Sequence, residues 1–207
     1  MKLLLLGSNG QVGWELQRSM ATLGKLKACD RSTLDFIDLD GLRKLIRDYK
    51  PDVIVNAAAY TDVDKAESDE ENAFQVNSKA VDLLAQEAKV LDAWLVHYST
   101  DYVFDGEKMS PYIEEDKTNP LSVYGKTKLQ GEEAIKKSKC KYLIFRTSWL
   151  FGTHGKNFFK TIIKLAKERD ELRVVSNQIG APTSAELVAD VTSLCLYRIA
   201  QNIPDGW

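Results

Sequence analysis

The sequence contains few cysteines and histidines, which limits the disulfide and metal chemistry open to it. Its three cysteines, Cys29, Cys140 and Cys195, are odd in number, far apart and without metal-site spacing. Such a set is typical of a protein kept reduced in the cytoplasm, where we expect this one to reside. His97 and His154 are isolated from each other. We interpret each as structural, and we predict no metal site.

The chain also lacks a dominant charge and a long apolar run. It has 28 Lys and Arg against 30 Asp and Glu, a net charge of −2, so it has no basic footprint for nucleic acid. No segment approaches the ~20 apolar residues of a membrane-spanning helix. The apolar run at residues 1–6 leads directly into glycine, which indicates a buried strand rather than a signal peptide. We therefore expect neither nucleic acid nor membrane as a partner.

Apolar strands alternate with amphipathic helices along the chain, which predicts an α/β fold. The expected form is a Rossmann-type, doubly wound parallel sheet. A chain of 207 residues is long enough for one sizeable core, or for one domain plus part of another. We interpret residues 107–119 as a polar loop over the site. The predicted strands cover residues 2–6, 25–29, 51–56, 93–99, 141–145 and 172–175, and the predicted helices cover 40–49, 79–91, 157–167 and 185–200, with another around Tyr124.

A glycine-rich turn follows the first predicted strand. Gly7, Gly10 and Gly13 are spaced Gly-x-x-Gly-x-x-Gly and open an amphipathic run. Glycines here permit a tight turn and let the backbone approach a pyrophosphate at the helix N-terminus. The spacing differs from Gly-x-Gly-x-x-Gly, but the strand, turn and helix that the motif requires are present. The turn therefore predicts a dinucleotide site.

Two neighbouring residues at the end of the second predicted strand give conflicting signals about the cofactor. Asp30 lies about 20 residues beyond the glycines, where a carboxylate takes the ribose hydroxyls of NAD. Arg31 follows it and suits the 2′-phosphate of NADP. We expect NADH and NADPH both to bind, and we leave their order open.

Tyr124 and Lys128 are four residues apart, so on one helix they share a face. An ammonium beside a phenol favours the phenolate, and we expect it to lower the Tyr124 pKa from about 10. Such a phenol can serve as a general acid near neutral pH. Thr100 follows a predicted strand, at the edge where an open α/β sheet presents its ligands. A Tyr-x-x-x-Lys pair alone also fits a solvated helix surface, but the glycine turn favours a functional pair.

These motifs occur in an uninterrupted order that resembles the extended short-chain dehydrogenase/reductases. Within that superfamily they are most similar to the dTDP-4-dehydrorhamnose reductase family, and the similarity runs from the first strand to about residue 190. The motifs that carry it are the glycine turn, Asn56-Ala57-Ala58-Ala59-Tyr60-Thr61, Val63-Asp64-Lys65-Ala66-Glu67, Tyr98-Ser99-Thr100-Asp101-Tyr102-Val103-Phe104, Tyr124-x-x-x-Lys128, Arg146-Thr147-Ser148-Trp149 and Asn177-Gln178-Ile179-Gly180-Ala181-Pro182-Thr183.

The resemblance implies reduction of the 4-keto group of dTDP-4-dehydro-β-L-rhamnose by a reduced nicotinamide, which yields dTDP-L-rhamnose. It assigns proton donation to Tyr124 and a hydrogen bond with the substrate oxygen to Thr100. Lys128 would lower the Tyr124 pKa and bind the nicotinamide ribose. Sugar-nucleotide contacts are implied for Asp101 and Trp149. Cofactor contacts are implied for Gly10, Gln11, Val12, Asp30, Asp35, Phe36, Ala59, Tyr60, Thr61 and Tyr98.

Glu15 and Glu186 match positions that hold a metal ion at a dimer contact in some family members. We interpret both as ordinary exposed glutamates, and we leave open a homodimer with Mg²⁺ at its contact.

The resemblance also implies two regions. Residues 1–148 would form the NAD(P)-binding domain, and residues 149–207 would begin a substrate-binding region that is interleaved with the last sheet elements. Family members run beyond this chain, so we expect that region to be incomplete, with residues 203–207 approaching another strand.

Two other functions occur in proteins that resemble this chain and have the same scaffold. One is a non-catalytic regulatory subunit like that of methionine adenosyltransferase, and the other is a nucleotide-sugar epimerase or dehydratase. The presence of Thr100, Tyr124 and Lys128 together favours the reductase.

Overall fold

A five-stranded parallel sheet forms the centre of the computed structural model, which describes residues 1–201. Its strands are β1 (Lys2–Leu6), β2 (Lys25–Cys29), β3 (Val53–Asn56), β4 (Trp94–Thr100) and β5 (Lys141–Thr147). Their spatial order is β2-β1-β3-β4-β5. The chain leaves β1 in one direction to form β2 and then returns past β1 to form β3. The carboxyl ends of β1 and β3 therefore flank a topological switch point, where open α/β sheets bind ligands.

Helices cover both faces of the sheet, which confirms the predicted doubly wound fold. Leu4 and Leu6 of β1 pack on one face with α2, α5 and α6, whereas Leu3 and Leu5 pack on the other with α1 and α8. All four leucines are fully buried, as expected for a parallel strand covered on both sides. The helices are α1 (Gln11–Ser19), α2 (Leu39–Tyr49), α3 (Val63–Ala66), α4 (Glu70–Phe74), α5 (Ala80–Leu91), α6 (Val123–Ser138), α7 (Phe158–Glu168) and α8 (Ala185–Ala200).

Side-chain caps begin several of these helices. Ser122 accepts a hydrogen bond from the Gly125 N–H and begins α6, the helix of the Tyr-x-x-x-Lys pair. Asn157 caps α7 in the same way. A π-helical turn, Gln75–Lys79, joins α4 directly to α5. The helix predicted to begin at residue 79 is therefore the end of a longer helical segment.

The prediction of a strand at residues 172–175 is wrong, because the structure has no strand there. A strand needs a neighbour for its backbone hydrogen bonds, and no strand of residues 1–201 pairs with this segment. Val174 and Val175 are 51% and 66% exposed, so their apolar character does not reflect burial in a sheet. A small sheet that the sequence did not predict lies nearby in the chain, with β6 (Leu150–Phe151) paired to β7 (Thr183–Ser184). Residues 203–207 lie outside the described part of the chain.

Helix α8 returns to the central sheet and packs on α1. The Ser193 hydroxyl donates to the Ser19 carbonyl at 2.7 Å, and the Ser19 hydroxyl donates to the Ala189 carbonyl at 3.1 Å. Within residues 1–201, none of the helices combines the length and apolar character needed to cross a membrane.

Candidate active site

A cavity of about 950 Å³ lies at the carboxyl edge of β1, β3 and β4. It gathers residues from the glycine turn, from the segments that follow β2, β3 and β4, and from α6. Of the predicted site residues, Gly13 alone does not line it. Those that do are Gly7, Gly10, Gln11, Val12, Asp30, Arg31, Asp35, Phe36, Ala59, Tyr60, Thr61, Tyr98, Thr100, Asp101, Tyr124, Lys128 and Trp149.

The three glycines of the turn serve different purposes. Gly7 has φ +80°, and a Cβ there would lie 2.5 Å from the Ala58 nitrogen. A Cβ on Gly13 would lie 2.0 Å from the Gly7 carbonyl oxygen. These two glycines are required by packing. Gly10 is different, because the nearest atom of the described chain to its Cβ position is 3.4 Å away, so the bare backbone there leaves room for a ligand.

The N-terminus of α1 opens on the cavity without a side-chain cap. Gly10 occupies the cap position and has no side chain to accept the free N–H groups of the first turn. Those N–H groups and the helix dipole favour a phosphate group at this point.

Asp30 and Arg31 stand side by side at the rim of the cavity. The Asp30 carboxylate accepts hydrogen bonds from the Ser32 hydroxyl at 2.6 Å and from the Asn9 amide at 2.5 Å. The bond from Ser32 is the main reason why the Asp30 pKa is lowered, so this carboxylate is ionised at neutral pH. Arg31 is exposed, and its guanidinium makes no ion pair with residues 1–201.

Asn77, which is not among the predicted site residues, fixes the cavity wall that follows β3. Its side chain accepts from the Tyr60 N–H at 2.9 Å and donates to the Tyr60 carbonyl at 3.1 Å. It also donates to the Thr127 hydroxyl on α6 at 3.2 Å. Asn77 is 1% exposed and lies in the π-helical turn. An asparagine at a buried position of a helix indicates a structural or functional role. The sequence did not reveal this position, because the predicted helix began only at residue 79.

Thr100, Tyr124 and Lys128 meet in this cavity. Thr100 ends β4, and its hydroxyl donates to Asp101 at 3.1 Å. The Tyr124 ring meets the Tyr102 ring edge to face, with 5.6 Å between centroids. Burial raises the pKa of Asp101, so this part of the cavity is partly desolvated.

The structure contradicts the expectation that Lys128 lowers the Tyr124 pKa. Burial raises the pKa of Tyr124 to about 12, and only the nearby Thr100 hydroxyl opposes this effect. The Lys128 side chain makes its contacts elsewhere: Nζ donates to the Tyr98 carbonyl at 2.6 Å and lies 3.3 Å from His97 Nε2. Tyr124 therefore carries its proton at neutral pH.

Tyr98 contributes its backbone to the site more than its hydroxyl. The Tyr98 hydroxyl lies 2.8 Å from the Thr192 hydroxyl on α8, on the opposite face of the sheet. Its carbonyl holds Lys128, as described above.

An ion pair between Arg146 and the buried Glu132 supports the end of β4 through Ser99. Arg146 donates two hydrogen bonds to Glu132, at 2.9 and 2.7 Å, and the Ser99 hydroxyl donates a third at 2.5 Å. Burial alone would raise the Glu132 pKa, but the bonds from Arg146 and Ser99 outweigh it and the pKa is lowered. Ser99 directly precedes Thr100, so this network fixes the backbone that presents the threonine hydroxyl.

Trp149 lies at the far side of the cavity in a constrained conformation. Its φ is +45°, which is unusual for a bulky residue. A Cβ on Gly180 would lie 2.6 Å from the Trp149 ring, so the indole lies directly against that glycine. Ser148 donates to the Ala181 carbonyl at 2.8 Å. The structure thus joins two motifs that are about 30 residues apart in the sequence.

Glu15 and Glu186 lie on either side of Arg18. The Arg18 guanidinium is 3.5 Å from Glu15, 3.7 Å from Glu186 and 2.8 Å from Asp190. In residues 1–201 there is no group of three or more His, Cys, Asp or Glu side chains that could hold a metal ion.

Comparisons with known proteins identify the family. The family described as RmlD substrate binding domain matches residues 1–206. A dTDP-4-dehydrorhamnose reductase from Escherichia coli (strain K12) is 51% identical over 209 residues, which cover 99% of this chain and 70% of that protein. The chain belongs to the dTDP-4-dehydrorhamnose reductase family. The narrower resemblance stated from the sequence motifs is therefore confirmed.

Solved structures of dTDP-4-dehydrorhamnose reductases have the same fold. The protein from Clostridium acetobutylicum gives a TM-score of 0.91 at 42% identity and covers 97% of this chain and 71% of its own. The protein from Bacillus anthracis, solved in complex with NADP, gives 0.90 at 35% identity and covers 95% of this chain and 70% of its own.

Proposed function

We propose that this chain reduces the 4-keto group of dTDP-4-dehydro-β-L-rhamnose, with NADPH or NADH as reductant, to give dTDP-L-rhamnose for polysaccharide biosynthesis. The observation that carries the proposal is the meeting of Thr100, Tyr124 and Lys128 in the cavity beside the glycine turn. The 51% identity to a reductase of that name supports the same substrate.

The residues at the cavity fit a nicotinamide dinucleotide. Gly10 and the uncapped start of α1 offer a pyrophosphate site. The ionised Asp30 accepts ribose hydroxyls, and the exposed Arg31 guanidinium pairs with a 2′-phosphate. Because both groups are present, we propose that both cofactors bind. When bound, the reduced nicotinamide supplies the hydride that C4 of the sugar accepts.

Tyr124 is the proton donor in this proposal. A phenol with a pKa of about 12 is protonated at neutral pH, so it has a proton to donate as the C4 oxygen develops negative charge. The Thr100 hydroxyl holds the same oxygen. Lys128, which is held by its hydrogen bond to the Tyr98 carbonyl, would bind the nicotinamide ribose.

The remaining assignments belong to the same proposal. Residues 1–148 form the cofactor domain, and residues 149–207 begin the sugar-binding region, in which Trp149 and Asp101 contact the sugar nucleotide. The protein works in the cytoplasm, a location supported by its three free cysteines. A homodimer is consistent with the exposed apolar side chains of α8, among them Leu187 and Leu194.

Tyr124→Phe tests the catalytic assignment directly. Loss of the positioned acid lowers kcat by roughly 10²–10⁴-fold, measured as oxidation of NADPH in the presence of dTDP-4-dehydro-β-L-rhamnose. NADPH affinity and thermal unfolding stay close to those of the wild type, because the phenyl ring keeps its contact with Tyr102.

Tyr142→Phe is the matched control, since it removes the hydroxyl of a β5 tyrosine that does not line the cavity. Its turnover equals that of the wild type. A Tyr124→Phe variant with wild-type turnover refutes the catalytic role. If this chain binds NADPH but does not oxidise it with this sugar, and a longer chain with the rest of the sugar-binding region also fails, the reductase proposal is refuted and a nucleotide-binding regulatory subunit is favoured.

A further inference from the structure

Three buried side chains from three elements form a continuous polar chain behind the candidate active site. Asn56 ends β3, His97 lies in β4 and Lys128 lies in α6, and they are 1%, 0% and 1% exposed. Asn56 Nδ2 is 3.2 Å from His97 Nδ1, and His97 Nε2 is 3.3 Å from Lys128 Nζ. The reaction proposed above uses Lys128 but gives no role to Asn56 or His97.

The orientation of Asn56 fixes the direction of these hydrogen bonds. The Ala58 N–H, which can only donate, lies 3.2 Å from Asn56 Oδ1, so the amide oxygen faces Ala58 and the amino group faces His97. An amide amino group also only donates. His97 Nδ1 must therefore accept.

His97 consequently carries its proton on Nε2. Burial lowers the pKa of His97 well below its ordinary value of 6.5, so the ring is neutral. A neutral imidazole has a single N–H. With Nδ1 accepting from Asn56, that N–H is on Nε2 and points at Lys128.

The hydrogen bonds around Lys128 match an amine rather than an ammonium. The Tyr98 carbonyl can only accept, so Nζ donates to it. Towards the His97 Nε2–H, Nζ has to accept, and an ammonium has no lone pair with which to do so. Burial acts in the same direction and lowers the pKa of Lys128 to about 8.

Other ionisable groups near Lys128 do not change this pattern. On α6, Tyr124 lies one turn earlier and is protonated at neutral pH. Glu132 lies one turn later and acts to raise the Lys128 pKa, but Arg146 of β5 neutralises it through two hydrogen bonds. The π-helical turn packed on α6 contributes the neutral Asn77.

We infer that Asn56 and His97 are positioning residues that set the protonation state of Lys128. Asn56 fixes the Nε2–H tautomer of His97, and His97 donates to the lysine amine and favours its neutral form. The inference rests on the proposed function only for its kinetic consequence, which is loss of turnover as pH rises and the Lys128 ammonium disappears.

The tautomer can be measured without substrate. The chain has two histidines, so in protein labelled with ¹⁵N-histidine the His97 signals are assigned by comparison with His154→Gln. The expected spectrum has a protonated Nε2 and an unprotonated Nδ1 for His97, unchanged between about pH 5 and 8. A protonated Nδ1, or titration of His97 near its ordinary pKa, overturns the inference.

Asn56→Asp reverses the hydrogen-bond direction with little change of shape. A carboxylate oxygen can only accept, so the His97 proton moves to Nδ1 and Nε2 becomes an acceptor for the lysine ammonium. The Lys128 titration, followed at the ¹³C-labelled lysine ε-carbon whose signal Lys128→Met removes, has a midpoint of about 8 in the wild type. In Asn56→Asp it rises by about one pH unit or more.

Gln130→Glu is the matched control, because it adds the same charge to the exposed side of α6. It changes neither the tautomer nor the Lys128 midpoint. If Asn56→Asp folds and leaves both unchanged, the inference is wrong. If that variant does not fold, the wild-type tautomer alone decides.

The pH dependence of kcat separates this inference from the proposed function. In an active enzyme, the alkaline limb of the kcat profile moves upward in Asn56→Asp and stays in place in Gln130→Glu. Absence of turnover, both in this chain and in a longer chain with the rest of the sugar-binding region, contradicts the reductase proposal, whereas the two NMR measurements still test the control of Lys128.

Discussion

Replacing Gly10 and Gly13 separately by alanine distinguishes the ligand-binding and the packing requirements of one turn. A Cβ at Gly13 would lie 2.0 Å from the Gly7 oxygen and 2.8 Å from the Gly7 carbonyl carbon. These are backbone atoms between β1 and α1, so they cannot move aside as a flexible side chain can. A Cβ at Gly10 meets no atom of the described chain closer than 3.4 Å, and it faces the cavity.

The structure gives opposite expectations for the stability of the two variants. Overpacking of this kind costs about 1–3 kcal/mol, which lowers the Tm of a chain of this size by roughly 2–12 °C. Gly10 has φ −74° and ψ 168°, a conformation that alanine adopts readily. Gly10→Ala therefore keeps or slightly raises the Tm, since alanine also restricts the unfolded chain by about 0.4–1 kcal/mol.

Cofactor affinity reverses that order. The methyl group of Gly10→Ala occupies the space proposed for the pyrophosphate, and NADPH affinity falls by about tenfold or more, equivalent to about 1.4 kcal/mol. Thermal unfolding followed by circular dichroism and an NADPH titration by fluorescence measure both quantities. Gly10→Ala with wild-type affinity would refute the assignment of the pyrophosphate, and equal losses of Tm in the two variants would refute the packing argument.

Three further predictions concern charged groups. Glu132→Gln leaves Arg146 without its buried partner and lowers the free energy of unfolding by about 3 kcal/mol. The control Glu133→Gln, at an exposed position of the same helix, changes it little. Urea denaturation measures both variants, and equal effects would contradict a stabilising buried ion pair. Because the folded-state Glu132 pKa lies below its ordinary value of 4.5, its contribution to stability is present above pH 4.5 and is lost as pH falls through the folded pKa, so Glu132→Gln has a shallower acid decline in Tm than the wild type. Arg31→Ala weakens NADPH binding by about tenfold and leaves NADH binding unchanged, as measured by paired titrations; a parallel loss for both cofactors would exclude a 2′-phosphate contact.

The comparisons with relatives and the structure support different parts of the proposal. The family match, which extends over residues 1–206, supports the proposed substrate. The protonation state of the Tyr124 hydroxyl depends on its burial and its neighbours, which are properties of the folded chain.

The sequence by itself determined the five strands of the central sheet and half of the residues that line the cavity. β1, the glycine turn and α1 were predictable because their signals are local: an apolar run, glycine spacing and helical periodicity lie within 20 residues. Thr100, Tyr124 and Lys128 were likewise found from their places at a strand end and on one helix face. The strand predicted at 172–175 failed because an apolar run does not by itself provide a neighbouring strand.

Tertiary structure decided the electrostatics of the site. The high pKa of Tyr124 and the low pKa of Lys128 come from desolvation, which depends on chain segments distant in sequence that exclude water. The contact of His97 with Lys128 joins residues 31 positions apart, and Asn77 reaches Thr127 across 50 positions. Periodicity and spacing report only on neighbours along the chain, so these side chains acquired their roles when the sheet brought β3, β4 and α6 together.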